Sequence, residues 1–290
     1  MRLHAGCLIG LSALLSVACG TTDWGASAIL QPWRRPLLAQ PDLPHELVSF
    51  ESDGLRLEGW LFRADQGRPG SARSEQGIRA SRSLIVYLHG IADNRQSGVG
   101  VARRFVPLGY DVLTYDSRGH GRSQGEICTY GYFERRDVTR ALDAVGARRA
   151  ILFGSSLGAA VALQAAAIDE RVIGVVSQSS FADLPSIVRY RAPWYLPPPY
   201  VTAAIARAGE RAGFPPSEAS PVASAAHIHV PVLLIHGAAD SETPCQHSQR
   251  IFDALAGPRR LLLVPGAGHN DVLGREEVWL EIAAFIDRLS

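Results

Sequence analysis

The sequence predicts an α/β fold, in which a mostly parallel sheet carries helices on both faces. Short, mainly apolar runs alternate with longer stretches of helical character, and glycine-containing turns separate the two. Strands that are apolar on both sides are typical of parallel sheets whose two faces are covered. The predicted parallel strands are Leu84–Leu88, Asp111–Tyr115, Ala150–Phe153, Val172–Val176, Val232–Ile235 and Arg260–Val264.

The remaining elements follow from the same pattern. Before the first of these strands, His45–Glu51 and Leu55–Arg63 flank Asp53-Gly54, a dipeptide that favours a two-residue hairpin turn. This hairpin adds antiparallel strands at one edge of the sheet. The predicted helices are Gly98–Leu108, Phe133–Val145, Leu157–Ile168, His247–Leu255 and Arg275–Leu289.

A single domain, from residue 45 to residue 290, accommodates all of these elements. Within it, residues 182–226 interrupt the alternation of strands and helices and are rich in proline, including the run Pro197–Pro199. An insertion of this size over a parallel sheet often forms a cap beside the binding site. We therefore expect a short cap-like insertion at this point.

The N-terminal residues predict export. A short basic start precedes the apolar run Gly6–Ala18, which is too short to span a bilayer and ends in small residues. Residues 1–18 are therefore predicted to be a signal peptide. The stretch that ends at Cys19 also resembles the lipobox of bacterial lipoproteins, in which the cysteine is lipidated, although Ser16 stands where leucine is usual. A cleaved soluble form and an uncleaved anchor are the alternatives.

Residues 19–44 are predicted to be a linker, because they contain several prolines and show little periodicity. The predicted location is a bacterial membrane, where a lipid on Cys19 holds the domain on the periplasmic side. Without the lipid, the protein would be periplasmic or secreted.

The charge distribution argues against a nucleic-acid partner, and the cysteine positions argue against a disulfide. The formal net charge of the chain is +1, and its arginine clusters are short and separated. This distribution offers no concentrated positive field to a nucleic acid. Beyond Cys19 only Cys128 and Cys245 remain, in loops after strands that are predicted to lie apart in the sheet. We therefore expect two separate thiols.

The candidate nucleophile is Ser156, at the centre of Gly154–Gly158 (GSSLG). This stretch fits the pattern G-x-S-x-G and stands between an apolar strand and an alanine-rich helix. A strand that turns at once into a helix strains the backbone of the central serine, and side chains at the two glycines would meet neighbouring backbone. The serine hydroxyl then lies at the N-terminus of the helix, which favours developing negative charge. Ser155 is the competing serine, and a purely structural turn is the alternative interpretation.

His269 is the candidate base, which a serine hydroxyl needs in order to attack near neutral pH. It lies in Gly266–Asp271 (GAGHND), directly after the last predicted strand, where glycines let the loop turn back across the carboxyl edge of the sheet. Of the nine histidines, only His269 combines this position with a glycine-lined loop. His89 and His236 end strands just before glycines and are expected to bond to nearby loops.

Asp240 is the candidate acid that orients this base and stabilises its charged form. It follows the buried strand Val232–Ile235 and gives the order Ser, Asp, His along the chain. Asp271 and Glu242 are the alternatives. Asp116 also follows a predicted strand, but we expect it to hold the glycine-rich turn that comes after it.

Backbone N–H groups must bind the oxyanion that forms during attack. The residue after the nucleophile, Leu157, offers one N–H, and the loop after Leu84–Leu88 offers the second through Ile91, because Gly90 permits the necessary turn. No clustered spacing of His, Cys and Asp predicts a metal site, and no organic cofactor is required.

These residues together resemble the α/β-hydrolase superfamily over residues 45–290. The resemblance is carried by four elements in order along the chain: His89-Gly90, Tyr115–Ser123 (YDSRGHGRS), Gly154–Gly158 and Gly268-His269. Within the superfamily, the chain is similar to the serine aminopeptidase-like and depalmitoylase-like hydrolases. The resemblance implies an eight-stranded sheet and the transfer of an acyl group to water.

The predicted activity is therefore that of a serine hydrolase, which cleaves a small or medium acyl ester through an acyl-enzyme. A thioesterase or peptidase with the same triad, an acyltransferase and a non-catalytic tethered binding protein are the alternatives, because this fold hosts many functions. Three aromatic residues of the cap, Trp194, Tyr195 and Tyr200, either line an acyl pocket or pack beneath the cap.

Overall fold

The computed structural model describes residues 22–64 and 82–289. At its centre lies an eight-stranded sheet with the spatial order β1-β2-β4-β3-β5-β6-β7-β8. The strands are β1 (Glu46–Ser52), β2 (Leu55–Phe62), β3 (Arg82–Leu88), β4 (Tyr110–Tyr115), β5 (Ala150–Ser155), β6 (Val172–Gln178), β7 (Val232–Gly237) and β8 (Arg259–Val264). The predicted fold class is confirmed.

The sheet is antiparallel only at the edge where the hairpin was predicted. Strand β1 is antiparallel to β2 and β2 to β4, whereas every other neighbouring pair is parallel. The hairpin turns at Asp53 and Gly54, whose φ angles are +50° and +75°. Both central residues of a type I′ turn require a positive φ, which aspartate tolerates and glycine adopts freely.

Helices cover both faces of the sheet. They are α1 (residues 22–30), α2 (Val99–Phe105), α3 (Glu134–Ala144), α4 (Leu157–Ala166), α5 (Leu184–Arg191), α6 (Pro198–Ala212), α7 (Pro221–Ala225), α8 (Gln246–Ala254) and α9 (Glu276–Asp287). The five helices predicted from the sequence are all present, as α2, α3, α4, α8 and α9. The insertion at residues 182–226 contains the cap helices α5, α6 and α7.

The structure differs from the prediction of a linker at the start of the described chain. Residues 22–30 form helix α1, and its Ala26, Ile29 and Leu30 are buried in the same apolar cluster as residues of α4 and the cap. Their spacing of i, i+3 and i+4 places the three side chains on one face of the helix. This apolar stripe is only one helical turn long. The prolines that follow it dominate the composition of the segment, which is why the sequence predicts a linker.

The residues after α1 are fixed to the domain by hydrogen bonds. The Arg34 guanidinium donates to the carbonyl oxygens of Gly121 at 3.0 Å and Ser123 at 2.6 Å. At the end of α1, the Cys128 N–H donates to the Leu30 carbonyl at 2.8 Å. The residues after α1 are therefore bound to the surface of the domain and do not form a free linker.

In the part of the chain that the structure describes, Cys128 and Cys245 are both free thiols, as the sequence predicts. The same residues include no helix of sufficient length and hydropathy to cross a membrane. The predicted signal peptide, residues 1–18, lies outside the described residues, as does Cys19.

Replacing Arg34 by methionine should loosen helix α1. A hydrogen bond from a charged donor contributes about 1 kcal/mol at a largely exposed site, so local opening should become about fivefold more frequent. Hydrogen–deuterium exchange of residues 22–30 measures this opening. Arg35→Met is the matched control, because Arg35 makes one exposed ion pair, with Asp93 at 3.3 Å. Equal exchange in the two variants would contradict the docking role of Arg34.

Candidate active site

Ser156 lies at the junction of β5 and α4, in a backbone conformation that serine rarely adopts. Its φ is +54° and its ψ is −112°, a region that costs about 1–3 kcal/mol for a residue with a side chain. The glycines on either side allow the junction to be this tight. A Cβ on Gly154 would clash with the carbonyl of Gly158, and one on Gly158 would clash with the carbonyl of Leu88 in β3. The strained turn that the sequence predicts is present.

The loop after β8 brings His269 to this serine. His269 Nε2 lies 3.0 Å from Ser156 Oγ, a distance at which the hydroxyl can donate to a neutral imidazole. Gln178, at the end of β6, donates through Nε2 to the backbone carbonyl of His269 at 3.0 Å and so holds the loop. The competing serine, Ser155, donates its own hydroxyl to Gln178 Oε1.

Asp240 completes the chain of hydrogen bonds. Its Oδ2 accepts from His269 Nδ1 at 2.6 Å, and its Oδ1 accepts the backbone N–H groups of Glu242 at 2.9 Å and Thr243 at 2.8 Å. Burial by itself would raise the pKa of Asp240, but the hydrogen bonds from His236 and His269 help to hold it well below its usual range. The carboxylate therefore stays ionised at neutral pH and can stabilise an imidazolium.

A second histidine, His236, also contacts this acid, and sequence reasoning missed the contact. His236 Nε2 lies 3.1 Å from Asp240 Oδ2 and 2.7 Å from the carbonyl oxygen of Thr243. Its Nδ1 lies 2.7 Å from the hydroxyl of Ser248. Because the two partners of Nε2 accept, the proton belongs on Nε2 and Nδ1 accepts from the serine. His236 is the penultimate residue of β7 and lies four residues before Asp240, and this spacing is the signal in the sequence that could have indicated the contact.

The alternative acids make other contacts. Asp271 Oδ2 accepts the Gly268 N–H at 3.1 Å and closes its own turn. Glu242 bonds to a neighbouring side-chain amide. Asp116 Oδ2 accepts the N–H of Arg122 at 2.8 Å, within the turn that it was expected to hold. Asp240 is thus the carboxylate that reaches the imidazole.

The two predicted oxyanion donors lie beside the serine. Ile91 and Leu157 both line the cavity into which Ser156 opens, and Leu157 is the first residue of α4. The loop after β3 passes close to the nucleophile, since a Cβ on Gly90 would lie 3.6 Å from Ser156 Cβ. The two segments that carry the predicted donors therefore both lie beside the nucleophile.

His89 holds the loop after β3 in this position. Its Nδ1 lies 2.8 Å from the carbonyl oxygen of Gly90, and its Nε2 accepts the N–H of Ser117 at 3.0 Å. Burial lowers the pKa of His89. The ring therefore stays neutral and keeps one donor and one acceptor, as these partners require.

Ser156 opens into a cavity of about 390 Å³, which is within the range of ligand pockets. Among the described residues that line it, Arg191 is the only charged one. Three segments supply most of the apolar wall: Trp24, Gly25, Ala28 and Ile29 from α1, Ile187, Val188, Leu196, Tyr200, Val201 and Ala204 from the cap, and Tyr130 and Phe181 from loops at the sheet edge. Of the three cap aromatics, Tyr200 lines this cavity, while Trp194 and Tyr195 are exposed.

The arrangement has the side chains that nucleophilic acyl transfer uses: a serine hydroxyl within hydrogen-bond distance of an imidazole, and a buried carboxylate on that imidazole, beside an apolar cavity. Across residues 22–64 and 82–289, no group of three or more His, Cys, Asp or Glu side chains is placed to hold a metal ion.

Comparisons with known proteins agree on the family. A family model described as the alpha/beta hydrolase fold matches residues 83–224, which include Ser156. An uncharacterized protein of Mycobacterium tuberculosis is 32% identical over 235 residues, which cover 78% of this chain and 72% of that protein. The mitochondrial palmitoyl-protein thioesterase ABHD10 of mouse is 28% identical over 235 residues, which cover 71% of this chain and 76% of the thioesterase.

The likeness extends to solved structures. The esterase Pf2001 of Pyrococcus furiosus matches with a TM-score of 0.70 and 20% identity, covering 90% of this chain and 100% of the esterase. At this identity the likeness concerns the fold. Since the family model, the relatives and the eight-stranded sheet agree, the chain belongs to the α/β-hydrolase superfamily.

Proposed function

We propose that the protein is a serine hydrolase that cleaves carboxylic esters, with Ser156 as its nucleophile. The observation that carries the proposal is the continuous hydrogen-bonded chain from Ser156 through His269 to Asp240 at the wall of an apolar cavity. A chain of these three groups activates a hydroxyl for attack on an acyl carbon.

The first half of the reaction forms an acyl-enzyme. His269 Nε2 takes the hydroxyl proton while Ser156 Oγ attacks the acyl carbon, and the N–H groups of Ile91 and Leu157 bind the resulting oxyanion. When the intermediate collapses, the bond between the acyl carbon and the leaving oxygen breaks. The imidazolium gives its proton to that oxygen, and the alcohol departs.

The second half returns the free enzyme. Water replaces the alcohol, His269 takes one of its protons, and the hydroxide oxygen attacks the acyl carbon on Ser156. The proton then passes from the imidazolium to Ser156 Oγ as the acid leaves. Asp240 remains ionised throughout and keeps His269 in the tautomer that presents Nε2 to the serine.

A thioester is the second candidate substrate. The same steps apply with a thiol as the leaving group, and the apolar cavity suits the alkyl chain of either substrate. The palmitoyl-protein thioesterase among the relatives favours this candidate. Parallel assays with the oxygen ester and the thioester of one fatty acid rank the two.

Labelling with a fluorophosphonate probe tests the nucleophile. We expect an adduct on Ser156, located by peptide mass spectrometry, that is lost in Ser156→Ala and strongly reduced in His269→Ala. Ester hydrolysis by either variant should fall by about 10⁴-fold or more, because triad members act as a unit.

Ser155→Ala is the matched control, since the hydroxyl of Ser155 serves Gln178. This variant should keep the adduct and lose less than about tenfold in activity, the effect of one hydrogen bond. An unlabelled, folded wild-type protein would instead support the alternative of a non-catalytic binding protein.

His236 should act on the reaction through Asp240. His236→Phe removes a hydrogen bond to a charged group, which contributes about 1.5–3 kcal/mol, so we expect kcat to fall about 10- to 100-fold with little change in KM. His236→Gln can still place an N–H near Asp240 and should recover part of the loss. Equal loss in both variants, together with a lower melting temperature, would point to a purely structural role.

Val188→Trp tests whether the cavity holds the acyl chain. Val188 lines the cavity and is only partly buried, so a larger ring can fill the cavity without rebuilding the core. For an octanoyl ester, kcat/KM should fall by about tenfold or more, because a buried chain of this size gains several CH₂ contacts. For the acetyl ester it should change little. Equal losses of kcat/KM on both esters would show that the acyl chain of the substrate binds outside this cavity.

A further inference from the structure

We propose that the mouth of the apolar cavity docks on a lipid bilayer, so that the substrate's acyl chain enters directly from the membrane. The inference rests on the proposed function, since it names the source of the acyl chain. It also uses the predicted anchorage at Cys19, which places a membrane near one end of helix α1.

Exposed aromatic side chains surround the mouth. Trp194 is 95% exposed, and Trp24 and Tyr195 are each 66% exposed. Of the other tryptophans, Trp60 and Trp279 are buried in the core and Trp33 is 66% exposed. Single exposed apolar residues are ordinary, but three large amphipathic rings around one apolar opening are typical of an interaction surface.

Trp194 and Tyr195 stand at the tip of a turn. The Leu196 N–H donates to the Pro193 carbonyl at 2.9 Å, which closes a four-residue turn with the two aromatics at its centre. Such positions usually carry Gly, Asn, Asp or Ser. Pro193 and Leu196, which flank the aromatics, line the cavity, and Pro197 follows at once, so the tip is held at the rim.

The rim has the composition of a membrane-interface surface. Tryptophan and tyrosine prefer the headgroup level, where the ring is apolar on one side and its polar tip meets water. Arg189 and Arg191 lie in the last turn of α5, directly before the aromatic tip. Their positive charges favour the anionic lipids of such a surface.

The chain itself brings the predicted anchor to this rim. Trp24 lies near the start of the described helix, and it both lines the cavity and is exposed. Cys19 precedes it by five residues, so covalent geometry keeps the two within about 19 Å. A lipid on Cys19, or the apolar run Gly6–Ala18 retained as an anchor, therefore holds the membrane on the side of the cavity mouth.

The test uses the full chain reconstituted into vesicles of phosphatidylethanolamine and phosphatidylglycerol. The variant is Trp194→Ser combined with Tyr195→Ser, which changes the rim and leaves the cavity wall intact. The matched control is Leu280→Ser: Leu280 is 66% exposed on α9, which packs in the core cluster on the other face of the sheet from α1. Each protein is assayed on a long-chain ester within the vesicles and on a water-soluble butyrate ester.

We expect the double variant to lose about tenfold or more in hydrolysis of the vesicle ester, because interfacial binding scales with the apolar area inserted. Its hydrolysis of butyrate should match that of the wild type, as should both activities of the control. Vesicles with brominated acyl chains should also quench the tryptophan fluorescence of the wild type more strongly than that of Trp194→Ser.

Unchanged vesicle hydrolysis by the double variant, or equal quenching in the two proteins, would overturn the docking. A dimer of the wild type that the double variant loses would do the same, since the rim would then bind a second copy of the chain. If the wild type cleaves neither ester, the proposed function fails, while the quenching still reports on docking by itself.

Discussion

The close approach of the β5–α4 junction to strand β3 is the constraint on which the site depends. A positive φ at Ser156 is unfavourable, so its surroundings must hold the junction in place. The Ser156 N–H donates to the Gln178 carbonyl at 2.8 Å, and helix α4 is buried from Leu157 to Ala165. A helix that is apolar all round suits this position between the sheet and its neighbouring helices. Burial of α4 therefore offsets the strain that exposes the serine hydroxyl.

Four neighbouring strands each supply one part of the site at the same edge. Ser156 follows β5, Gln178 ends β6, Asp240 follows β7 and His269 follows β8, and these strands are adjacent in the sheet. Parallel strands bring their carboxyl ends together, which is why residues far apart in sequence meet here. The groups also support one another, because Gln178 holds the His269 backbone and His236 shares Asp240 with the His269 ring.

The fold and the principal side chains could be predicted because they leave local signals. The fully buried strand β7 begins with a continuous apolar run, Val232–Ile235, and the GSSLG stretch matches a known pattern for a tight strand-to-helix turn. Elements that depend on tertiary contacts left weaker signals. Helix α1 shows one turn of apolar spacing at Ala26, Ile29 and Leu30, and each cap helix carries a proline in its first turn, where proline is tolerated. The contact between His236 and Asp240 required the path of the loop after β7.

Helix α1 links the cavity beside Ser156 to the predicted lipid anchor. It lines the cavity beside Ser156, and its described part starts three residues after the cysteine that the sequence predicts to be lipidated. A movement of α1 away from the domain would therefore open the cavity and would also shift the predicted anchor. The hydrogen bonds of Arg34 and the buried Leu30 oppose that movement. If the protein docks on a bilayer as proposed, its orientation there and the shape of the proposed acyl site depend on one set of contacts, and a change in either should alter the other.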